Sequence, residues 1–433
     1  MCKTECESAE RVHGSSYEVL ENYVCELSVI VPTYNHAQFL GEAVQSVLDQ
    51  TYQDYEIIIV DDGSTDNTRE VLERFCDPRI RYVYQENRGL GAARNTGIRG
   101  ARGALVALLD ADDVWKPDFL HRAANVLHTN LGIGAAYAGF RYMNAEGRPL
   151  SQTVCRVVPS DQFRQALLRG NWLCPSAVVV RKSVFGEIGL FDETHSACED
   201  LDMWLRISLR FGFEGIPNVL LLHRRIGNNM SDDVDRMTEE MAAVLEKHVG
   251  PLDGAVDDWS DDQWIAASSY HKYCIEEYLA QGRLGKSVRS LYWILKYRRK
   301  SALELDLWYS LATVHQSKGH RGEFSTWDLK RAEFDTMSLL DSLAEFQISY
   351  SDLRKMRSQA HFALALFSYG IGRLGAARRH LLQSFLKTPA CALRLAWISL
   401  AARLLPGMAM LRPMARQVRH LSSNDLRIDT LSR

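Results

Sequence analysis

Three carboxylates follow a short apolar segment in the first third of the chain. Residues 104–109 read A-L-V-A-L-L and run directly into Asp110, Asp112 and Asp113. An uninterrupted apolar run of this length predicts a strand covered on both faces, as in a parallel α/β sheet. Carboxylates this close together do not all ionise cheaply without a cation, and Mg²⁺ or Mn²⁺ would suit their oxygens. The alternative is an acidic loop that caps the helix beginning near Pro117.

Two earlier predicted strands end in residues of the same kind. The first, at 27–31, stops at Pro32 and is followed by Thr33 and Asn35. The second, at 56–60, ends in the string D-D-G-S-T-D at 61–66. Parallel strands place their carboxyl ends at one edge of a sheet, and open α/β sheets bind their ligands there. We therefore expect the three strand ends to meet in one site.

Another pair of acids, Glu199 and Asp200, begins a predicted helix. The segment 198–206 reads C-E-D-L-D-M-W-L-R and has helical apolar spacing. Acids in a first helical turn commonly complement the helix dipole. They could also supply a general base at the helix start, within reach of a substrate hydroxyl. The residues alone leave both interpretations open.

The elements that must position these acids alternate between strand and helix. A helix is predicted over 37–50, further strands over 80–84, 135–140 and 176–180, and a glycine-rich, arginine-rich stretch over 88–103. This order predicts a mostly parallel sheet with flanking helices, which is an α/β fold. The glycine-rich stretch lacks the spacing of a dinucleotide-binding motif, so a dehydrogenase is disfavoured.

Composition narrows the class of protein. The chain has 433 residues, of which 46% are hydrophobic and 24% are charged, and its formal net charge is −3. Two domains are expected for this length, and the charge gives no reason to expect nucleic-acid binding. The nine cysteines form no C-x-x-C pair, which favours reduced thiols in the cytoplasm. The sequence shows no signal peptide and no apolar run long enough to span a bilayer.

Five strings in this order resemble the family 2 glycosyltransferases of GT-A fold. They are V-I-V-P-T-Y-N at 29–35, V-D-D-G-S-T-D at 60–66, A-A-R-N at 92–95, L-D-A-D-D at 109–113 and C-E-D-L-D-M-W-L-R at 198–206. The resemblance covers about residues 27–235. It implies an inverting transfer of a sugar from a nucleotide diphosphate, usually a UDP-sugar, onto an acceptor hydroxyl.

The resemblance also implies roles for individual residues. Asp62 would bond the base, Arg94 and Asn95 would lie near the ribose and diphosphate, and Asp110 would face the ribose or sugar. The expected nucleotide-sugar-binding residues are Pro32, Thr33, Asn35, Asp62, Arg94, Asn95, Asp110 and Arg224. Asp112 would bind the metal, which stabilises the leaving diphosphate. Asp200 would be the general base, and Glu199 would orient the acceptor.

The sequence departs from the family pattern in one place. Many members carry Y-R-x-H after the base helix, whereas here the segment begins His223-Arg224-Arg225-Ile226. Arg224 keeps its position and could meet a diphosphate oxygen. Ile226 replaces a histidine that can help to hold the metal or diphosphate, so metal use could be weaker.

The C-terminal half has a different pattern. From about residue 236 the sequence shows helical spacing, and Y-L-A-Q-G-R-L-G at 278–285 resembles Y-G-I-G-R-L-G at 369–375. A helix, a glycine turn and a second helix are typical of a tetratricopeptide-like unit, although a simple helical bundle fits as well. We therefore expect a polar lead-in at 1–26, a GT-A domain at 27–235 and an all-α accessory domain at 236–433.

The end of the chain is basic and partly apolar. Residues 376–424 contain eight Lys or Arg and no acid. Such a segment could lie on an anionic membrane surface, near a lipid-linked acceptor, or be a solvated helix pair. A cytoplasmic protein with peripheral contact to the inner face of the membrane is the corresponding expectation.

The sequence thus favours a metal-dependent, inverting glycosyltransferase of surface or extracellular polysaccharide synthesis. Its partners would be a nucleotide-sugar donor and a glycan or lipid-linked acceptor. A sugar-nucleotide-binding protein with impaired catalysis is the alternative, motivated by Ile226. A nucleotidyltransferase also uses metal-binding carboxylates on an α/β sheet, but the D-D-G-S-T-D and E-D strings count against it.

Overall fold

A computed structural model describes residues 25–404, except for 228, 255, 317–319, 321–322 and 394. The described chain folds into two compact units that divide between Ala266 and Ala267. The first unit holds the sheet, and the second is built from helices. Nearly all of the expected lead-in at 1–26 lies outside the described residues.

Four strands form the parallel half of the sheet, in the order β3-β2-β1-β4. These strands are β1 (Leu27–Thr33), β2 (Tyr55–Asp61), β3 (Ile80–Tyr84) and β4 (Leu105–Leu108). The helices between them are α1 (Ala37–Leu48), α2 (Thr68–Leu72) and α3 (Leu90–Gly100). Every residue of β1, β2 and β4 is buried, as their uninterrupted apolar sequences predict.

The other half of the sheet is mixed. It contains β5 (Val114–Trp115), β6 (Ile133–Met143), β7 (Pro149–Val154), β8 (Val178–Arg181) and β9 (Gly212–Arg224). Its helices are α4 (Phe119–Thr129), α5 (Phe163–Leu168), α6 (Lys182–Ile188), α7 (Glu199–Ser208) and α8 (Val234–Val249). The order continues β4-β8-β6-β9-β5, with β7 on β6. Strand β8 is antiparallel to both of its neighbours, and β6 is parallel to β9. The predicted α/β class is confirmed, with the parallel pairing concentrated in the first half.

The three predicted strand ends meet at one edge. Thr33 at the end of β1 is in register with Asp61 at the end of β2. The N–H group of Leu109 donates to the carbonyl of Ile30 at 2.9 Å, which places the acids after β4 beside the end of β1. The edge expected to bind a ligand is therefore formed by backbone pairing.

Helix α8 belongs to the first unit. Lys247 Nζ and His248 Nε2 on this helix bond Asp202 of α7 at 2.8 and 3.0 Å. The chain after β9 therefore folds back onto α7, within the unit that ends at Ala266.

The second unit is helical, as predicted. Its helices are α9 (Asp261–Ala280, which crosses the division), α10 (Leu284–Tyr297), α11 (Arg299–Ala302), α12 (Leu305–Ala312), α13 (Leu329–Leu343), α14 (Tyr350–Gly370), α15 (Leu374–Lys387) and α16 (Leu395–Leu404). Gly282 and Gly372 form matching turns, with φ of +71° and +74°. After each glycine, the backbone N–H group of Arg283 or Arg373 donates a 2.8 Å hydrogen bond to the carbonyl five residues earlier. Both glycine-turn hairpins are present, while the tetratricopeptide likeness stays a prediction.

The basic segment 376–424 is described up to residue 404, with 394 excepted. Among the described helices, none is long and apolar enough to cross a membrane.

Candidate active site

The acids after β4 have different surroundings. Asp113 is fully buried, and its carboxylate accepts hydrogen bonds from His223 Nδ1 at 3.0 Å and from the N–H group of Arg224 at 2.9 Å. Burial opposes ionisation of Asp113, but the charge of His223 holds its pKa below the usual value. Asp113 is thus an ionised anchor between the acidic loop and β9.

The pKa of Asp112 is shifted in the opposite direction. It is 8% exposed, and burial together with the charges of Asp113 and Asp110 raises its pKa to about 7. The nearby His223 offsets part of this repulsion. A carboxylate that is crowded by two others, at the edge where the strand ends meet, has the chemistry of a ligand for a hard divalent cation. The acid-only donor set predicted from the sequence therefore fits such an ion.

A buried arginine connects the acids after β4 with the acids of α7. Arg94 on α3 is 1% exposed, and it donates to Asp110 at 2.8 Å and to Glu199 at 2.5 Å. Its guanidinium also lies 5.5 Å from the ring centre of Phe191. Because Arg94 and Glu199 are buried and Asp110 is partly buried, Arg94 fixes the position of Asp110 relative to the start of α7.

Asp200 faces the site beside this bridge. Its Oδ1 accepts the N–H of Leu201 at 2.7 Å, and its Oδ2 accepts the amide of Asn171 at 2.9 Å. Burial and the charge of Glu199 raise the pKa of Asp200 to about 6, against the opposing effect of Arg94. A carboxylate with this pKa is ionised at neutral pH and basic enough to accept a proton. Glu199 is bonded to Arg94 through Oε1, and its expected part in orienting the acceptor stays a prediction.

The loops after β1 and β2 hold each other. Asn35 has a left-handed backbone with φ of +54°, and its side-chain oxygen accepts the N–H of Thr65 at 2.8 Å. Asp66 accepts the N–H of Ala37 at the start of α1 at 3.0 Å. Pro32 and Thr33 are buried beside these loops, and the Thr33 hydroxyl has no hydrogen-bond partner among the described residues. Asn35 therefore shapes the expected nucleotide pocket through its backbone and its loop contacts.

Asp62 is buried and holds the segment after β3. Its carboxylate accepts the side chain of Gln85 at 2.6 Å and the N–H groups of Arg88 and Gly89 at 3.0 and 2.8 Å. A base contact by Asp62, as predicted from the sequence, would add to this network through a remaining lone pair.

Two residues expected at the ligand are bonded within the protein. Asn95 pairs with both backbone groups of Phe191 at 2.9 Å and also donates to Glu193. Its amide therefore orders the 191–193 segment, and one lone pair of Oδ1 is left over. The expected place of Asn95 near the ribose and diphosphate stays a prediction.

Arg224 is also bonded to other groups of the protein through its guanidinium. It is 1% exposed, donates to the carbonyls of Asp112 and Ala145 at 2.8 Å, and forms an ion pair with Glu42. Arg224 thus holds the backbone of the acidic loop through the Asp112 carbonyl. Its expected contact with a diphosphate oxygen stays a prediction. Ile226 lies nearby and bonds the Asn229 side chain through its N–H group at 3.0 Å.

A second group of side chains could hold a cation. Ligand atoms of Asp113, Cys174 and His223 lie within 4.8 Å of one another. A metal there would have to displace the His223–Asp113 hydrogen bond and a thiol proton, because burial raises the pKa of Cys174 to about 11. A metal at Asp112 would displace the proton of a carboxylate whose pKa is about 7, and it would leave the His223–Asp113 hydrogen bond intact.

Several residues of the site were missed by the sequence reasoning. Asn171 bonds Asp200, Ser176 Oγ accepts the N–H of Asp110 at 3.0 Å, and Glu42 pairs with Arg224. His36 begins α1 close to Asp110, Asp66 and Asp113, and its pKa is lowered by burial. The sequence N-W before Pro175 is a signal for a loop, but no spacing links Asn171 to Asp200.

The family model for glycosyl transferase family 2 matches residues 28–189. TuaG of Bacillus subtilis, a proposed teichuronic acid biosynthesis glycosyltransferase, is 32% identical over 219 residues, which cover 49% of this chain and 84% of TuaG. This chain belongs to glycosyltransferase family 2. Chondroitin synthase of Escherichia coli is 30% identical over 207 residues, or 47% of this chain and 30% of that protein. The chain spans between 30% and 36% of the lengths of four such curated relatives.

Among solved structures, residues 1–349 of TarS from Staphylococcus aureus in complex with UDP-GlcNAc match with a TM-score of 0.44 and 15% identity. The match covers 78% of this chain and 91% of the TarS chain.

The Arg94 bridge makes a prediction about stability. Arg94→Met leaves the Asp110 and Glu199 carboxylates without their cation, so we expect the free energy of unfolding at neutral pH to fall by about 3–5 kcal/mol. Arg99→Met, on the exposed side of the same helix, is the control, since its pair with Glu193 is 3.5 Å long and exposed. It should change stability by less than about 1 kcal/mol. Equal effects of the two variants in urea denaturation would contradict the assignment.

Proposed function

We propose that this family 2 glycosyltransferase is a metal-dependent, inverting enzyme that transfers a sugar from a UDP-sugar onto an acceptor hydroxyl. The observation that carries the proposal is the Asp110–Arg94–Glu199 bridge, which holds the acids after β4, including Asp112, close to the acids that begin α7, including Asp200. One carboxylate suits a cation at the diphosphate, and the other suits a proton acceptor at the attacking hydroxyl.

The proposed step involves one bond broken, one bond formed and one proton moved. The acceptor oxygen attacks the anomeric carbon from the face opposite the diphosphate, and the bond from that carbon to the phosphate oxygen breaks. Asp200 accepts the hydroxyl proton as the new bond forms, and the bonding electron pair leaves with the nucleoside diphosphate. A single displacement inverts the configuration at the anomeric carbon. Glu199 is unsuited to a second, covalent step because it is bonded to Arg94.

The metal-binding residue would be Asp112, with Asp110 facing the ribose or sugar. A bound Mg²⁺ or Mn²⁺ would stabilise the negative charge that grows on the leaving diphosphate. Arg224 holds the backbone of this loop by donating to the Asp112 carbonyl. The next residue, Asp113, anchors the loop through its hydrogen bond with His223. Ile226 offers no metal ligand, so the proposed site relies on the carboxylate of Asp112.

Support for the polysaccharide product comes from the names of relatives, which refer to teichuronic acid and to chondroitin. Both are carbohydrate polymers, so we infer a glycan or lipid-linked acceptor in surface or extracellular polysaccharide synthesis. The buried Asp62 and the loops that Asn35 holds would form the side of the pocket that receives the base.

The proposed activity predicts a specific loss of product in two variants. With Mn²⁺ or Mg²⁺, the protein should release nucleoside diphosphate from one member of a panel of sugar nucleotides, and EDTA should abolish the release. Asp112→Ala and Asp200→Asn should each lower the rate at least about a hundredfold. Asp118→Asn, an exposed acid outside the site, is the control. Tight binding of UDP without release in the presence of acceptor mixtures would favour a sugar-nucleotide-binding protein instead.

We also propose that α15 contacts an anionic membrane, from the cytoplasmic side, near a lipid-linked acceptor. Leu382 and Leu386 are each 56% exposed and share one face of this helix with Phe385. Arg378, Arg379 and Lys387 lie on the same helix, and the sequence has no acid between 376 and 424. A face of this kind complements anionic headgroups.

This contact predicts binding to vesicles. The full chain should sediment with vesicles that contain phosphatidylglycerol, less so at high salt, and not with pure phosphatidylcholine. The double variant Leu382→Ser, Leu386→Ser should lose the binding, while Leu131→Ser, whose side chain is 82% exposed in the first unit, should keep it. Unchanged sedimentation of the double variant, or a wild type that forms dimers and ignores vesicles, would contradict the proposal.

A further inference from the structure

The loop after α5 brings a neutral amide to the proposed base. Asn171 donates from Nδ2 to Asp200 Oδ2 at 2.9 Å, and its own Oδ1 accepts the N–H group of Leu173 at 3.1 Å. The second bond fixes which end of the amide faces the carboxylate. A flipped amide would set its NH2 group against the Leu173 N–H and its oxygen against Asp200.

The loop and the base helix are anchored to the same aromatic side chains. Trp172, which follows the amide in the loop, packs edge-on against Phe163 at 5.4 Å between ring centres. Phe163 stacks on Phe213 of β9 at 4.0 Å, and Phe213 meets Trp204 of α7 at 6.2 Å. Trp204 lies one helical turn after the carboxylate. Because one cluster holds both elements, the amide and the carboxylate keep a constant separation.

The other groups that face Asp200 are charged or acidic. Glu199 precedes it, the Arg94 guanidinium lies beyond Glu199, and the buried Cys198 thiol begins the helix. Burial and Glu199 disfavour the carboxylate form, while Arg94, the Leu201 N–H and Asn171 favour it. Arg94 is divided between two other acids, so Asn171 is the side-chain donor bonded directly to Asp200.

We propose that Asn171 is a positioning residue, which orients the Asp200 carboxylate and keeps it ionised for proton transfer. The inference rests on the proposed function, because it assigns to Asp200 the part of the general base. An NH2 group can donate and cannot accept, so it occupies one lone pair of Oδ2 and leaves the other for the acceptor hydroxyl. When the hydroxyl proton arrives at that lone pair, the hydrogen bond from the Asn171 amide can stay in place.

The test compares three variants with the full-length wild type. Asn171→Ala removes the donor, and Asn171→Asp replaces it by a like charge of the same size. Gln165→Ala is the matched control, since it removes an exposed amide from the helix before the loop, where the contact is a 3.5 Å bond from Arg169. For each protein, kcat and KM for the donor sugar nucleotide identified with the wild type are measured from about pH 5 to about pH 9.

Asn171→Ala should lower kcat about tenfold to a hundredfold, the effect of a hydrogen bond to a charged group, with the donor KM unchanged. Loss of a donor that stabilises the carboxylate raises the pKa of Asp200, so the acid limb of the pH profile should move up by about one unit. Asn171→Asp should move that limb further, because two carboxylates would then share the site. Gln165→Ala should match the wild type.

The inference is overturned if Asn171→Ala and Asn171→Asp keep the wild-type pH profile and kcat. A fall in activity without a shifted acid limb in either variant would equally overturn it, since that would be a structural role. If Asn171→Ala fails to fold, the isosteric Asn171→Asp still decides the matter. The proposed function itself fails differently, when the wild type releases no nucleoside diphosphate from any donor.

Discussion

The site depends on one buried ionic bridge, in which Arg94 joins Asp110 to Glu199. The two acids come from elements far apart in the chain, the loop after β4 and the start of α7, and the guanidinium that links them is 1% exposed. A buried cation is tolerable because both partners neutralise it, and each acid in turn needs the arginine. The bridge therefore sets the separation between the proposed donor side and the proposed base.

Around this bridge, the structure sorts five acids by their partners. Asp113 is neutralised by His223 and Glu199 by Arg94, so both are anchors, and Asp110 shares the arginine. Asp112 and Asp200 receive less compensation, and their raised pKa values follow from burial beside other carboxylates. Acids of the same type thus acquire different chemistry from their surroundings, which is how one site can hold a cation and accept a proton.

Much of the first unit could be predicted from the sequence, because buried strands of a parallel sheet are continuous apolar runs. Strands β1, β2 and β4 and helix α7 appear where those runs and the helical spacing place them. Side-chain partners could not be predicted, since a pair such as Arg94 and Glu199 is set by tertiary position across 105 residues. The sequence does not distinguish an arginine that contacts a diphosphate from one that holds a loop. In the structure, Arg224 holds the acidic loop, and Asn95 holds the segment at Phe191.

Locating the metal tests the proposed site most directly. Crystals of the protein with Mn²⁺ and UDP would show the ion by its anomalous X-ray scattering. We predict a peak at bonding distance from the carboxylate of Asp112 and from the diphosphate, with the His223–Asp113 and Arg94 bonds intact. A peak at Asp113, Cys174 and His223 instead, or UDP bound without an ion at Asp112, would contradict the account.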